Sequence, residues 1–140
     1  MANDPAEKIT ASFQAQSMME TLGARLTHIS EGFVEIQAPI LPGCQQQHGF
    51  AHAGLTFAIG DSAAGYAALS MMPPDHEVLT SEMKIHLLSP GRGEILIARG
   101  RVIKPGRRLV IVQADVYERA DAKENHIAML TGTMVPLPPN

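Results

Sequence analysis

The segment HGFAHAGLTFAIGDSAAGYAAL, residues 48–69, sets a single carboxylate, Asp61, in an otherwise apolar run of small residues. Apolar side chains between residues 53 and 68 cover every side of a helical wheel, which is typical of a helix buried all round. We therefore predict a central helix over residues 52–72, ended by two consecutive prolines. Its glycines and alanines keep it thin enough for a sheet to approach the helix backbone.

The position of Asp61 needs a physical reason, because a carboxylate inside an apolar helix is costly unless it is hydrogen-bonded, paired or facing a cleft. A structural role, in which Asp61 caps a local amide or reaches solvent near Gly60, is one alternative. Upstream, His52, Ala53 and Gly54 mark the helix start, where the first amides are unpaired donors and the dipole favours negative charge. Such amides are half of an oxyanion hole, so an acid or base on the same element suggests acyl transfer. His52 and Asp61 lie about 13 Å apart along the helix, so a second copy of the helix is needed to bring them together.

The segments on either side of this helix complete an α+β domain. Residues 1–22 predict an N-terminal helix that ends at Gly23, and residues 24–40 predict a hairpin of two strands. Residues 77–137 contain four alternating segments separated by turns, which predict consecutive antiparallel strands. All 140 residues then form one domain, long enough to bury a core of its own.

The first of these four strands, LTSEMKIHLL at residues 79–88, has a two-residue period. The alternation predicts that Leu79 lies on the core face, together with Met83, Ile85 and Leu87. It predicts that Thr80 lies on the opposite, wetter face.

Composition argues against several classes of function. The formal net charge of −3, the absence of Trp and an aromatic content of 4% argue against nucleic-acid binding. No apolar run reaches the roughly 20 residues that span a bilayer, and no basic-apolar leader is found, so we expect no membrane association. Cys44 stands alone, so we expect a cytoplasmic protein without internal disulfides. His48 and His52 have the HxxxH spacing of some zinc sites, but without a third ligand we expect no metal site.

Four segments, HGFAHAGLTFAIGDSAAGYAA, VLTSEMKIHLLSPGRG, GRVIKPGRRLVIVQADVYE and GTMVP, resemble hot dog fold thioesterases of the phenylacetate-degradation (PaaI-like) type. The resemblance covers about residues 23–136. It implies an α+β hot dog fold, in which an antiparallel sheet wraps the central helix, two subunits join their sheets, and their helices run antiparallel. It implies hydrolysis of an acyl-CoA thioester without a cofactor, since coenzyme A is part of the substrate. It also implies a homodimer at minimum, with a shared active site, and a homotetramer if two dimers pair.

The resemblance assigns roles at the helix start and within the helix. Ala53 stands where the family has a glycine whose amide polarises the thioester carbonyl, and Gly54 matches the second glycine. Alanine can serve in the first role because that role needs an N–H group. His52 matches a histidine that orients the loop. Asp61 matches the catalytic carboxylate, either as general base for water or as a nucleophile that forms an anhydride.

Further residues are assigned outside the helix. Gln46 stands where the family commonly has an Asn that positions water, so this sequence departs from the family pattern there. Thr80 matches a Ser or Thr that opens the next strand in related enzymes. Six of the eleven Lys and Arg residues fall between positions 92 and 108. They predict either a solvated hairpin or a phosphate site for coenzyme A, with Arg107 and Arg108, and also Arg92, as its candidates.

Two other functions stay open. A non-catalytic acyl-CoA-binding module would share the fold but would not need a desolvated carboxylate at position 61. A hot dog dehydratase or hydratase would have an Asp-His pair placed for proton transfer, whereas here the His precedes the helix. The acyl group is not encoded in any single motif, and aryl or medium-length chains are our expectation.

Overall fold

The computed structural model describes residues 4–140. The elements, in chain order, are helices α1 (Pro5–Ala15) and α2 (Ser17–Thr21), strands β1 (Arg25–Ser30) and β2 (Phe33–Pro39), a 3₁₀ turn (Pro42–Cys44), helix α3 (Ala53–Leu69), and strands β3 (Glu77–Leu87), β4 (Ile95–Lys104), β5 (Val110–Ala120) and β6 (Lys123–Leu137). The six strands form one antiparallel sheet in the order β1-β2-β4-β5-β6-β3, and this sheet packs around α3. This is the α+β hot dog architecture.

The small residues of α3 let the sheet reach its backbone, as the sequence predicts. Ala63, Ala64 and Ala67 are fully buried. A Cβ atom added to Gly100 of β4 would lie 2.3 Å from the carbonyl carbon of Ala63 and 2.4 Å from the nitrogen of Ala64. Only a residue without a side chain fits at this crossing, so Gly100 sets the depth at which α3 lies in the curve of the sheet.

One face of α3 departs from the prediction of a helix buried all round. Phe57, Ala58, Asp61 and Ser62 are only partly buried, whereas Ala63 to Ser70 are all buried. Spacings of three and four residues place the four partly buried positions on one side of the helix. The sheet covers the other sides, and no element within residues 4–140 covers this one completely.

The N-terminal helix is interrupted, where the sequence predicts one continuous helix over residues 1–22. Gln16 has φ −85° and ψ 94°, an extended conformation that ends α1 and precedes α2. Gly23 follows α2 with φ +67°, a left-handed conformation typical of a glycine after a helix. Residues 1–3 of the predicted helix lie outside the described part of the chain.

Strand β3 lies at an edge of the sheet and pairs with β6 rather than with β4. A β-bulge at Ser81 shifts its register between Thr80 and Glu82. The extra residue inverts the alternation, so Thr80 opposes the buried Met134 and faces α3. Leu79 is 59% exposed. The predicted core position of Leu79 is therefore wrong, because a strict two-residue period cannot cross a bulge. Thr80 is exposed as predicted, but it lies on the side of the strand that faces α3.

Past the bulge, Met83 and Ile85 turn toward the core as predicted. Leu87, at the end of the strand, is 59% exposed and is not a core residue. In the described residues, no helix has the length and apolar character needed to cross a membrane.

Candidate active site

The start of α3 presents one free backbone donor. His52 is the N-cap residue, and its Nδ1 atom accepts a hydrogen bond of 2.8 Å from the N–H of Gly54. The imidazole therefore carries no proton on Nδ1. The Gly54 amide is occupied by this bond, whereas the Ala53 N–H has no acceptor among residues 4–140. Of the two amides that the sequence singles out, Ala53 is the one available to an oxyanion.

The loop before α3 is held by Gln46. Its Oε1 atom accepts hydrogen bonds from the N–H groups of His48 and Phe50, and its own N–H donates to the carbonyl of Phe50. The N–H of His52 donates to the carbonyl of Cys44 at 2.9 Å. The side-chain carbonyl of Gln46 therefore stabilises the loop that carries the N-cap residue. The side-chain NH₂ group of Gln46 stays available for other contacts.

Asp61 lies on the partly buried face of α3, where Thr80 reaches it from β3. The Thr80 Oγ1 atom donates a hydrogen bond of 2.7 Å to Asp61 Oδ1. Burial raises the pKa of Asp61 above its ordinary value, and the hydrogen bond from Thr80 opposes that rise. A carboxylate with a raised pKa and one oxygen already oriented is suited to accept a proton near neutral pH. The inward turn of Thr80, which the bulge produces, is therefore what brings these two predicted residues together.

A cavity of about 350 Å³ opens beside Asp61 and Thr80. Its apolar wall includes Val78 and Met134. Its polar wall comes from residues that sequence reasoning missed, namely Ser12, Gln16, Ser62 and Tyr66. The available signal was the four-residue spacing of Ser12 and Gln16, which sets two polar side chains on one face of the helix that the sequence predicts, although Gln16 lies in the extended link after α1.

One chain does not unite the two halves of the candidate site. Ala53 and Asp61 stand eight residues apart on the same straight helix, which separates their backbones by about 12 Å. The carbonyl group of a thioester is far shorter than this separation. It therefore cannot contact the Ala53 amide and the Asp61 carboxylate of one chain at the same time.

The three candidate arginines lie at opposite ends of α3. The Arg92 guanidinium stacks over the Phe50 ring, 5.3 Å from its centroid, beside the helix start. Arg107 lines a cavity of about 360 Å³ at the other end, with Met71 and Met72 of the segment that follows α3. Arg108 is exposed on the same β4–β5 turn. The length of α3 separates the two groups by about 24 Å.

Two other basic residues of this region are engaged on the outer face of the sheet. Arg99 forms a bidentate pair with Glu124, at 2.9 Å for each bond, and also binds Glu35. Arg101 binds Asp115 at 2.9 Å. These ion pairs stabilise the sheet, whereas Arg107 and Arg108 of the β4–β5 turn form no ion pair with residues 4–140. Among the described residues, no group of three His, Cys, Asp or Glu side chains is placed to hold a metal ion.

Comparison with known proteins places this geometry in a family context. The model of the thioesterase superfamily matches residues 48–124. The structure is similar to that of a thioesterase family protein from Silicibacter pomeroyi, with 42% identity, a TM-score of 0.94, and coverage of 96% of this chain and 99% of that one. It shares its fold with the PaaI protein of the E. coli phenylacetic acid degradation operon, at 19% identity, a TM-score of 0.86 and coverage of 97% and 95%. A 1,4-dihydroxy-2-naphthoyl-CoA hydrolase of Listeria monocytogenes is 19% identical over 104 residues, 74% of this chain and 85% of that protein.

Proposed function

The chain belongs to the thioesterase superfamily, and from this premise we propose that it hydrolyses an acyl-CoA thioester to a carboxylic acid and coenzyme A. The observation that carries the proposal is the Asp61–Thr80 pair, a half-buried carboxylate oriented by a hydroxyl beside a cavity. Burial makes the ionised form of this carboxylate energetically costly. A module that only binds its ligand gains nothing from such a group. The relative that hydrolyses an acyl-CoA supports this substrate class. We extend the proposal to the PaaI-like type, on the sequence motifs and the shared fold.

A second copy of the chain would complete the site. The partly buried face of α3 and the long edge strand β3, with Leu79 59% exposed, lie next to each other, and no element of residues 4–140 covers them completely. An edge strand presents a row of unpaired backbone N–H and C=O groups, with which a strand of another chain can pair. If two copies join at β3 with their α3 helices antiparallel, the helix start of one copy lies beside the middle of the other. Ala53 of the partner subunit then meets Asp61.

The proposed reaction is attack of water on the thioester carbonyl. Asp61 accepts a proton from the water as the water oxygen bonds to the carbonyl carbon, and the Ala53 amide of the partner subunit donates to the oxyanion. Collapse of the tetrahedral intermediate breaks the carbon–sulfur bond, and the thiolate takes the proton held by Asp61. The products are the acid and coenzyme A. Thr80 holds Oδ1, which leaves Oδ2 to face the water.

The alternative chemistry is direct attack by Asp61 to form a mixed anhydride, which water then hydrolyses. The two routes place the oxygen of solvent differently when water attacks the aspartyl carbon of the anhydride. Single-turnover hydrolysis in H₂¹⁸O places label in the product acid if Asp61 is a base. Label in the Asp61 side chain, after attack of water at the aspartyl carbon of the anhydride, would indicate the nucleophilic route.

The arginines fit the same arrangement. In the register that sets Ala53 beside Asp61 of the other copy, the end of one α3 extends about 12 Å past the start of the other, so Arg107 and Arg108 of the partner subunit lie on the side of the helix start that Arg92 flanks. We assign these three cations to the phosphates of the coenzyme A nucleotide, because paired guanidinium groups bind phosphate oxygens strongly. Pairing of two such dimers into a homotetramer belongs to the same proposal and is tested by analytical ultracentrifugation.

A thiol-release screen across aryl, short, medium and long acyl-CoAs tests the proposal. We expect turnover of at least one class, and a loss of kcat of about 10²- to 10⁴-fold in Asp61→Asn with ligand affinity preserved. The second candidate function is a non-catalytic acyl-CoA-binding module. Saturable binding of acyl-CoAs with no thiol release from any of them would favour that function and refute hydrolysis.

A further inference from the structure

The polar wall of the cavity beside Asp61 is built by the interruption between α1 and α2. Gln16 occupies the extended position between the two helices, which directs its side chain toward α3. Its Nε2 atom donates to the Tyr66 hydroxyl at 3.1 Å, and its Oε1 atom accepts from the Ser62 hydroxyl at 3.3 Å. The Tyr66 hydroxyl also pairs with Ser12 at 3.1 Å. Four polar side chains thus form one connected wall of the cavity that Asp61 also lines, and Ser62 is the residue next to Asp61 in the sequence.

The hydrogen-bonding capacity of this wall is not exhausted within the protein. A glutamine side chain offers two N–H donors and two carbonyl lone pairs. Tyr66 and Ser62 use one of each, so one donor and one acceptor of Gln16 have no protein partner among residues 4–140. Gln16 is partly buried and lines the cavity. A group in the cavity that can both donate and accept a hydrogen bond matches what Gln16 leaves open.

We propose that Gln16 is a specificity-determining residue, which hydrogen-bonds a hydroxyl group on the acyl portion of the substrate. The inference rests on the proposed acyl-CoA hydrolysis and adds the feature of the acyl group that the site selects. A hydroxyl both donates and accepts, as the open positions of Gln16 require. A plain alkyl or aryl group would displace water from Gln16 without replacing its hydrogen bonds, and that loss disfavours the unsubstituted ester.

The same wall also attaches the N-terminal helices to α3, and a purely structural role must be separated from specificity. Loosening of α1 and α2 would lower stability and slow the turnover of all substrates together. Recognition of a hydroxyl changes the ratio of kcat/KM between two esters that differ only in that hydroxyl. This ratio is therefore the measurement that decides.

The experiment compares matched ester pairs in the wild type and in Gln16→Met, a change that keeps the side-chain length and removes both polar atoms. The aryl pair is 4-hydroxybenzoyl-CoA against benzoyl-CoA, and the aliphatic pair is 3-hydroxyoctanoyl-CoA against octanoyl-CoA. Gln14→Met, at an exposed position of α1, is the matched control. Should Gln16→Met fail to fold, Gln16→Ala at the same extended backbone replaces it.

We expect the wild type and Gln14→Met to prefer the hydroxylated ester of at least one pair, and Gln16→Met to lose about tenfold of that preference. The pair that responds identifies an aryl or an aliphatic acyl group. An unchanged ratio in Gln16→Met, or a wild type without preference in either pair, overturns the inference while hydrolysis itself stands. If the wild type hydrolyses no ester, the proposed function fails. The ratio of Kd between the two esters of each pair, measured by calorimetry, then replaces the ratio of kcat/KM, and an unchanged ratio in Gln16→Met again overturns the inference.

Discussion

The shared site makes a quantitative prediction for mixed dimers of Ala53→Pro and Asp61→Asn. Ala53 is the first residue of α3, and His52 before it has φ −65° and ψ 141°. This extended conformation is the one that a residue preceding proline requires, and the first helical position tolerates proline well. The Ala53→Pro change therefore removes the free N–H while the fold and the His52 cap on Gly54 stay intact.

Each variant alone should be almost inactive. Loss of one oxyanion donor costs about 2.7–4 kcal/mol in the transition state, a decrease in kcat of about 10²- to 10³-fold. Loss of the general base in Asp61→Asn costs about 10²- to 10⁴-fold. Each change affects only the one active site to which the changed residue contributes, so the two active sites of a dimer can be treated as independent.

A mixed dimer regains one site. The Ala53 amide of the Asp61→Asn chain faces Asp61 of the Ala53→Pro chain, and the other site lacks both groups. Purified mixed dimers should have about half of the wild-type activity, and a randomly paired population, of which half is mixed, about a quarter. The assay is thiol release by dimers isolated through two different affinity tags.

The matched control carries both changes on one chain and pairs it with the wild type. If the site is shared between subunits, every site of that dimer lacks either the amide or the carboxylate, and the dimer should be almost inactive. If both groups of a site came from one chain, this control would keep half of the activity and the first mixed dimer would keep none. That reversed pattern, in folded dimers, would refute the reasoning.

Three further predictions concern the same residues. Burial raises the pKa of Asp61 above its ordinary value of 3.8, so the folded chain keeps the Asp61 proton to a higher pH than the unfolded chain does. Ionisation of Asp61 therefore lowers the free energy of unfolding as the pH rises. Asp61→Asn should therefore unfold at higher urea than the wild type at pH 7, with a gap that closes toward pH 4, and an equal gap at both pH values would contradict this. Thr80→Val removes the donor that opposes the raised pKa, so the acidic limb of the kcat/KM profile should move to higher pH, whereas Thr131→Val on the neighbouring strand should leave it in place. Arg107→Ala combined with Arg108→Ala should raise KM for acyl-CoA about tenfold and leave KM for the matching acyl-pantetheine unchanged; equal effects on both substrates would exclude phosphate binding.

The sequence alone determined the central helix and the α+β class, and the hot dog architecture was implied by the resemblance to a known family. Apolar residues around the whole helical wheel and the two-residue alternation of the later segments are local patterns, and local patterns decide which element a segment forms. The free Ala53 amide also follows from local rules, because the first N–H groups of a helix lack intrahelical partners. Thr80 entered the candidate site through its family match, because its parity in the strand predicted an exposed position but not that it faces α3.

Only the tertiary structure decided which residues face one another. The bulge at Ser81 arises where β3 pairs with β6, and it turns Thr80 toward Asp61. The interruption at Gln16 brings its amide onto Ser62 and Tyr66 of α3, more than forty positions along the chain. Register and packing are set by partners distant in sequence, and a single extra residue reverses the face of every side chain that follows it in a strand. The periodicity of one segment carries no record of where pairing with a distant strand leaves one of its residues in a bulge, so these contacts became visible only in three dimensions.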